Sequence, residues 1–180
     1  MRKVIEYTLV SLDGVFEDPV SWGSMKYRDD AYMRDGLGLL LACDGMLFGR
    51  RSYEASAQIW PERAAAHPWA DRLNAIQKYV FSSKLESADW NNSTIIRGDV
   101  AAEVTKLKQQ EGRNLLVFGH TLLGESLLKH RLLDVLDISI HPLIVGAGKQ
   151  FFRPNQSAQL KLVATKTFSS IVKLTYEPQY

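Results

Sequence analysis

Leu115-Leu116-Val117-Phe118 is an unbroken apolar run that stops at Gly119. A strand with no polar alternation has no water-facing side, which marks a central strand of a parallel sheet covered on both faces. Met46-Leu47-Phe48, stopped by Gly49, reads the same way. Around them, strand-like and helix-like stretches alternate. Val4 to Val10 reads as a strand ending at the turn Ser11-Leu12-Asp13-Gly14, and residues 15 to 24 have loop chemistry. A helix is predicted from about Asp29 to Cys43, although Gly36 and Gly38 each weaken it by ~1 kcal/mol against alanine. Gly45 to Phe48 is the second strand. A short helix follows through Ser52 until Trp60-Pro61, where proline stops it. Pro68 opens the next, reaching Ile76. Lys78 to Ser82 and Thr94 to Arg97 are strands; Asp99 caps a helix with Val100, Val104 and Leu107 on one face. After the Leu115 strand, Thr121 to Lys129 is helical and Val135 to His141 extended. Leu160 to Phe168 and Ile171 to Tyr176 form an antiparallel hairpin about Ser169-Ser170. This order predicts an α/β fold with a mixed sheet and right-handed crossovers.

Composition narrows the function classes. With 180 residues, 46% apolar and 23% charged, the chain is expected to form one domain over 1–180 with a sizeable core. A net charge of +2 with no basic run longer than two residues argues against nucleic acid. The single cysteine, Cys43, reads as buried filler in an apolar helix and fits a reducing compartment. No apolar run approaches the ~20 residues that span a bilayer. The N-terminus lacks a signal-like apolar region. A cytoplasmic protein without a membrane partner is the expectation.

Three predicted strand ends carry similar chemistry. The first is Phe48-Gly49-Arg50-Arg51-Ser52, at a strand-to-helix junction. Glycine there lets backbone approach a ligand. The helix start presents unpaired N–H groups, two arginines can fork onto phosphate, and Ser52 can cap or donate. The same five residues also suit a tight turn with solvated arginines. The second is Ser82-Ser83-Lys84, and the third Gly119-His120-Thr121 at another helix start. Ligands of open α/β sheets bind outside the carboxyl ends of the strands, so together these ends suit a dinucleotide pyrophosphate and a further phosphate.

Familiar alternatives fail. No G-x-G-x-x-G follows the first strand. In the run Gly146-Ala147-Gly148-Lys149, the leading glycine of a P-loop would fall at Leu143 and its hydroxyl at Gln150, so a glycine-rich turn between Pro142 and Phe152 is the better reading. Histidines 67, 120, 130 and 141 show no zinc spacing, and no nucleophile elbow is present.

The chain resembles the dihydrofolate reductase superfamily, specifically the branch related to the reductase domain of the bacterial bifunctional riboflavin-biosynthesis deaminase-reductase. The resemblance runs through nearly the whole chain. It rests on Ser11-Leu12-Asp13-Gly14, on the segment from Asp44 through Phe48-Gly49-Arg50-Arg51-Ser52 to Glu54, on Val80-Phe81-Ser82-Ser83, and on Val117-Phe118-Gly119-His120-Thr121-Leu122. The stretch from Leu133 to Pro142, with Gly146-Ala147-Gly148 and Phe151-Phe152, completes it. It implies a three-layer, dihydrofolate-reductase-like fold: a mixed, mostly parallel eight-stranded sheet flanked by helices. It also implies NADPH across the strand ends. Gly49, Arg50, Arg51 and Ser52 would hold phosphates, Ser82 and Ser83 the adenosine end, and Gly119, His120, Thr121 and Leu122 the pyrophosphate and nicotinamide side. His120 departs from the small residue usual there. The deaminase half is absent, since its zinc cluster needs more than one cysteine.

A hydride transfer further needs a proton source. Asp13, beside the expected nicotinamide, and Asp30, early in the first helix, are the candidates. Each also has an ordinary reading, Asp13 as a turn residue and Asp30 as a helix-start carboxylate. Trp22, Tyr53 and Trp60 can stack on a flat ring or fill the core. Lys26, Arg28, Arg34 and Arg153 can meet a substrate phosphate or stay solvated. The expected function is NADPH-dependent reduction of a pterin-like or pyrimidine-like small molecule, with a non-catalytic NADPH-binding protein as the alternative. The resemblance and the apolar late strands predict a homodimer.

Overall fold

The structure, a computed structural model, describes residues 1–65, 67–151, 154 and 157–180. Phe152 and Arg153 of the sequence reading lie outside them. Eight strands form one sheet: β1 (Val4–Ser11), β2 (Cys43–Gly49), β3 (Gln77–Phe81), β4 (Ser93–Ile96), β5 (Asn114–Phe118), β6 (Val135–His141), β7 (Gln159–Phe168) and β8 (Ile171–Gln179), in the order β4-β3-β2-β5-β1-β6-β8-β7. The first six pair in parallel, and β8 runs antiparallel to both β6 and β7. The α/β class, the mixed sheet and the C-terminal hairpin are as the sequence predicts.

Five helices cover the two faces: α1 (Asp30–Leu41), α2 (Arg50–Ile59), α3 (Pro68–Ala75), α4 (Val100–Gln109) and α5 (Leu122–Lys129). Alternate residues of the central strands point to opposite layers. Ile5, Tyr7, Met46, Phe48 and Leu116 pack with Tyr32, Leu40, Tyr53 and Leu73 of α1 to α3. Val4, Val10, Leu47, Leu115 and Val117 pack with Val104, Leu107, Leu123 and Leu127 of α4 and α5. Each such leucine, fully buried, contributes roughly 1.5–3 kcal/mol.

Local chemistry explains the helix ends. The Asp29 carboxylate accepts from Tyr32 N and starts α1, and Asp99 accepts from Ala102 N and starts α4. Gly36, a poor helix former, earns its place by contact: a Cβ there would come within 2.8 Å of Trp69 Cζ2. Trp69 also donates its indole N–H to Met33 O, which locks α3 to α1.

Some element ends differ from the sequence reading. α1 stops at Leu41, and Cys43 opens β2 rather than closing the helix. The cause is tertiary: Asp44 is drawn to Arg2 and accepts from Arg113 N, so the chain turns extended. Burial pushes the Cys43 thiol up to about 11, so it stays protonated and inert. Thr121 is the N-cap of α5 rather than its first turn. The segment after β1 holds a short 3-10 turn, Ser24–Tyr27, and Val15 forms an antiparallel bridge with Gln150.

Candidate active site at the carboxyl edge of the sheet

The three strand ends meet. Gly49 of β2 pairs in register with Phe81 of β3, so Ser82 follows beside it. On the other side Leu47 pairs with Val117, which brings Gly49 level with Gly119. At ~4.8 Å between neighbouring strands, Ser82, Gly49 and Gly119 span roughly 10 Å of sheet edge. α2 opens directly after Gly49, and α5 opens after Gly119 with Thr121 as its N-cap. Neither helix start is capped by its own N-cap side chain, so both present first-turn amides and a partial positive charge to this edge.

The cradle has room. A Cβ at Gly49 or Gly119 meets nothing within 4 Å. Gly119 adopts φ +75, a conformation open to glycine and strained for other residues. Leu122 stands 75% exposed beside it, a large apolar side chain on the rim. Two bare glycines on neighbouring strands with two uncapped helix starts fit the diphosphate of a dinucleotide. Around the cradle, Arg51 is exposed and Ser52 half-buried, whereas Arg50 donates from Nη1 to both Glu54 carboxylate oxygens at 2.9 and 3.0 Å. Arg50 must therefore exchange a partner to meet a phosphate. At the β3 end the Ser82 hydroxyl accepts from Lys84 N and Leu85 N, which builds the turn rather than leaving it free, while Ser83 is exposed. Arg97 spans this turn, donating to Ser83 O and Leu85 O, and adds a cation the sequence reading missed.

Three expected positions look different in place. The His120 side chain does not enter the cradle. It is 3% exposed and points beneath the sheet, with Nδ1 2.7 Å from Glu6 Oε1, so the bulk feared at this position is absent. Asp13 is a stitch between loops: it accepts from Ser11 Oγ at 2.6 Å, Gly146 N at 2.8 Å and Val145 N at 3.1 Å. The bond from Ser11, then those from Gly146 and Val145, hold its carboxyl down at about 2. In this arrangement the Asp13 carboxylate serves as an acceptor that ties the two loops together. Asp30 is exposed at the first turn of α1 and lines, with Met33, Arg34, Leu37, His67 and Trp69, a groove of about 260 Å³ between α1 and the start of α3.

A different cluster occupies the floor beside the cradle. Tyr7 of β1 and Tyr32 of α1 share a hydroxyl–hydroxyl hydrogen bond of 2.5 Å. Burial, and then the partner tyrosine, hold the Tyr7 hydroxyl protonated well above its ordinary range; burial raises Tyr32 as well. Ser139 and His141 of β6 lie on the same face as Tyr7, in the register that pairs Leu9 with Ser139 and Ser11 with His141. The His141 Nε2 and Arg28 Nε atoms are buried without a hydrogen-bond partner among the described residues. Burial keeps the His141 imidazole below its usual range, hence neutral. The Trp22 ring packs edge-on over His141 at 5.4 Å. Tyr7 also contacts Phe118, whose ring stacks on Trp69 at 6.1 Å, so the floor runs as aromatic surface to the α1–α3 groove. From the sequence, Tyr7 and Tyr32 are indistinguishable from core tyrosines; only the orphaned polar atoms around them mark the place. Trp60 and Tyr53 are core or surface packing: Tyr53 is 3% exposed, its hydroxyl accepting from Trp90 N, and Trp60 lies by Arg63.

Lys173 and Asp137 extend this polar layer away from the cradle. Burial opposes the Lys173 charge, but bonds to Asp35 and Asp137 outweigh it and raise the ammonium above its ordinary value. That network ties the β7–β8 hairpin to α1 and so fixes the wall behind Tyr32. Among the described residues no group of three or more His, Cys, Asp or Glu is placed to hold a metal ion.

Comparison with known proteins gives the family. Residues 2–174 match the family described as the RibD C-terminal domain. The chain is 31% identical over 183 residues to the uncharacterized protein YyaP of Bacillus subtilis (strain 168), covering 97% of this chain and 94% of that one. Its fold superposes on a putative riboflavin biosynthesis protein from Shewanella sp. PV-4 with a TM-score of 0.77 at 18% identity, covering 99% of each chain. It also superposes on dihydrofolate reductase from Enterococcus faecalis, solved with NADP(H), with a TM-score of 0.63 at 15% identity, covering 99% of this chain and 97% of that one. The chain belongs to the RibD C-terminal domain family.

Proposed function

We propose that this member of the RibD C-terminal domain family is an NADPH-dependent oxidoreductase that reduces a pterin-like or pyrimidine-like small molecule. The carrying observation is the paired cradle: Gly49 and Gly119 on neighbouring strands, each opening an uncapped helix, with open space over both. Bound there, the cofactor supplies the hydride. Gly49, Gly119, Thr121, Leu122 and the first-turn amides of α2 and α5 hold its pyrophosphate. Arg51 and Ser52, with Arg50 once released from Glu54, take up the remaining phosphate charge. Ser83 and Arg97 line the adenosine end, over the turn that Ser82 builds.

The proton comes from the Tyr7–Tyr32 pair in this reading. Two hydroxyls joined by one hydrogen bond commit one proton and leave the other to donate. The hydroxyl that accepts from its neighbour is polarised into a better donor. Neutral His141, with Nε2 unpaired, and Arg28 offer an acceptor and a donor to the polar edge of a flat ring. The α1–α3 groove, with Asp30 and Arg34 at its rim, receives the rest of the substrate.

The test begins with NADPH and NADH in a tryptophan-quenching titration. A charge-assisted arginine contact contributes roughly 1.5–3 kcal/mol, so NADPH should bind at least tenfold tighter. Replacing Arg50 and Arg51 together by alanine should erase the difference. Equal dissociation constants for the two cofactors in the wild-type protein sink the assignment. NADPH oxidation against dihydropterins and aminouracil ribosides then reads the activity. Tight NADPH binding with no turnover on that panel favours a binding protein.

A cytoplasmic homodimer completes the reading. No helix among the described residues is long and apolar enough to cross a membrane. Leu162, Val163 and Val172 of the hairpin are at least 39% exposed, an apolar surface that a second copy would cover. Sedimentation at ~20 kDa and micromolar concentration would refute the dimer.

A further inference from the structure

Glu6 is wholly buried on the α4–α5 face of β1, with buried residues on both sides of it in the strand. Its Oε1 sits 2.7 Å from His120 Nδ1 and accepts from Thr8 Oγ1 at 3.2 Å. Its Oε2 is buried with no hydrogen-bond partner among the described residues. That oxygen lies against the first turn of α5, where a Cβ on Gly124 would overlap it. The glycine is thus required by the carboxyl group. His120 is clamped from its other sides by Phe151, with ring centroids 4.7 Å apart, and by Phe16 at 6.4 Å. Those two phenylalanines come from loops joined by the Val15–Gln150 bridge, by Phe151 N donating to Gly14 O, and by the Asp13 carboxylate.

A half-satisfied buried carboxyl is costly, and well-packed apolar residues in place of a buried pair are often neutral or stabilising. Stability therefore does not explain Glu6 and His120. Their place does. His120 is the one residue between Gly119, which must be bare and left-handed, and Thr121, which leaves α5 uncapped. A turn of glycine beside an uncapped helix start is loose by itself, and amides aimed at a phosphate bind best when already fixed.

We propose that the Glu6–His120 pair is a positioning device, which sets the Gly119–Leu122 turn for the cofactor's pyrophosphate from beneath the sheet. The proposal rests on the reductase reading for the identity of that ligand. Its test compares two double variants of the full-length protein, Glu6→Leu with His120→Leu and Glu6→Gln with His120→Gln. Melting temperature, NADPH affinity and affinity for adenosine 2′,5′-bisphosphate, which lacks the pyrophosphate and nicotinamide, are measured for each. The apolar pair should melt near the wild type, bind NADPH at least tenfold more weakly, and keep its affinity for the bisphosphate within threefold. The amide pair, which retains a hydrogen bond, should keep NADPH within threefold. Should the apolar pair not fold, Gly124→Ala displaces the Glu6 carboxyl instead and should give the same selective loss. Wild-type NADPH affinity in the apolar pair, or in Gly124→Ala where that replaces it, overturns the proposal, as does an equal loss for both ligands. Either result leaves the reductase reading standing. Failure of the wild-type protein to bind either nucleotide removes the reductase reading and this proposal together.

Discussion

Replacing Gly49 by alanine separates cofactor binding from folding. The residue has φ −79 and ψ 159, ordinary extended backbone that alanine adopts without strain. The added Cβ meets nothing within 4 Å, so no packing is lost. Removing glycine's freedom in the unfolded chain stabilises by ~0.4–1 kcal/mol. Alanine is a poorer N-cap than glycine by roughly 0.5 kcal/mol, which offsets most of that gain. The net change is within about 0.5 kcal/mol, and the melting temperature moves by less than about 2 °C. Binding responds differently, because the methyl group stands where the phosphate must approach the amides of α2. Losing one charge-assisted hydrogen bond there costs roughly 1.5–3 kcal/mol, or about a ten- to hundredfold weaker NADPH complex. The assay is calorimetric melting without nucleotide, paired with a tryptophan-quenching titration. Gly119→Ala is the contrast: at φ +75 it should lose roughly 1–2 kcal/mol of stability as well as binding. Unchanged NADPH affinity in Gly49→Ala would show that no phosphate lies over this glycine and would refute the cradle.

Tyr32→Phe keeps the ring and removes the hydroxyl from the 2.5 Å pair; turnover should fall ~10²–10⁴-fold while the NADPH dissociation constant stays put, read by steady-state kinetics and titration. Asp13→Asn should raise the KM for NADPH more than it lowers kcat, because the residue acts through the loops against His120. The Asp13 carboxyl sits at about 2, below its ordinary value, so its share of stability is present above pH ~4 and is lost as pH falls toward 2. Melting of the Asn variant should be flatter across that window. Lys78, buried against Trp90 with three backbone carbonyls accepting from its Nζ, is pulled down to about 8 by burial and then by Arg72. The unfolded chain holds that proton up to pH ~10.4, so the cost of charging it fades as pH rises from 8 toward 10. Lys78→Met should remove that upward contribution, seen as a difference in denaturant midpoints between pH 8 and pH 10.

The sequence by itself determined the layers and the cradle. Apolar runs at 46–48 and 115–118 stop at glycines, and that pattern requires parallel strands buried on both faces with bare backbone at their carboxyl ends. Asp29 and Asp99 announced helix starts because capping is a local interaction. Side-chain direction at the site was decided by tertiary structure. His120 turns beneath the sheet because Glu6, 114 residues earlier, is buried on that face and Phe16 and Phe151 close over the ring. Asp13 is held down by Ser11 close by in the chain, and then by two amides that the 145–146 turn brings to it from at least 132 residues away, a contact only the fold supplies. Cys43 left its helix for a strand because Asp44 answers Arg2. Tyr7 and Tyr32 became a hydroxyl pair only when α1 crossed β1. Local propensity and period are short-range properties that a sequence carries openly. A partner for a buried polar group is a long-range one, chosen when the sheet order brings distant residues face to face.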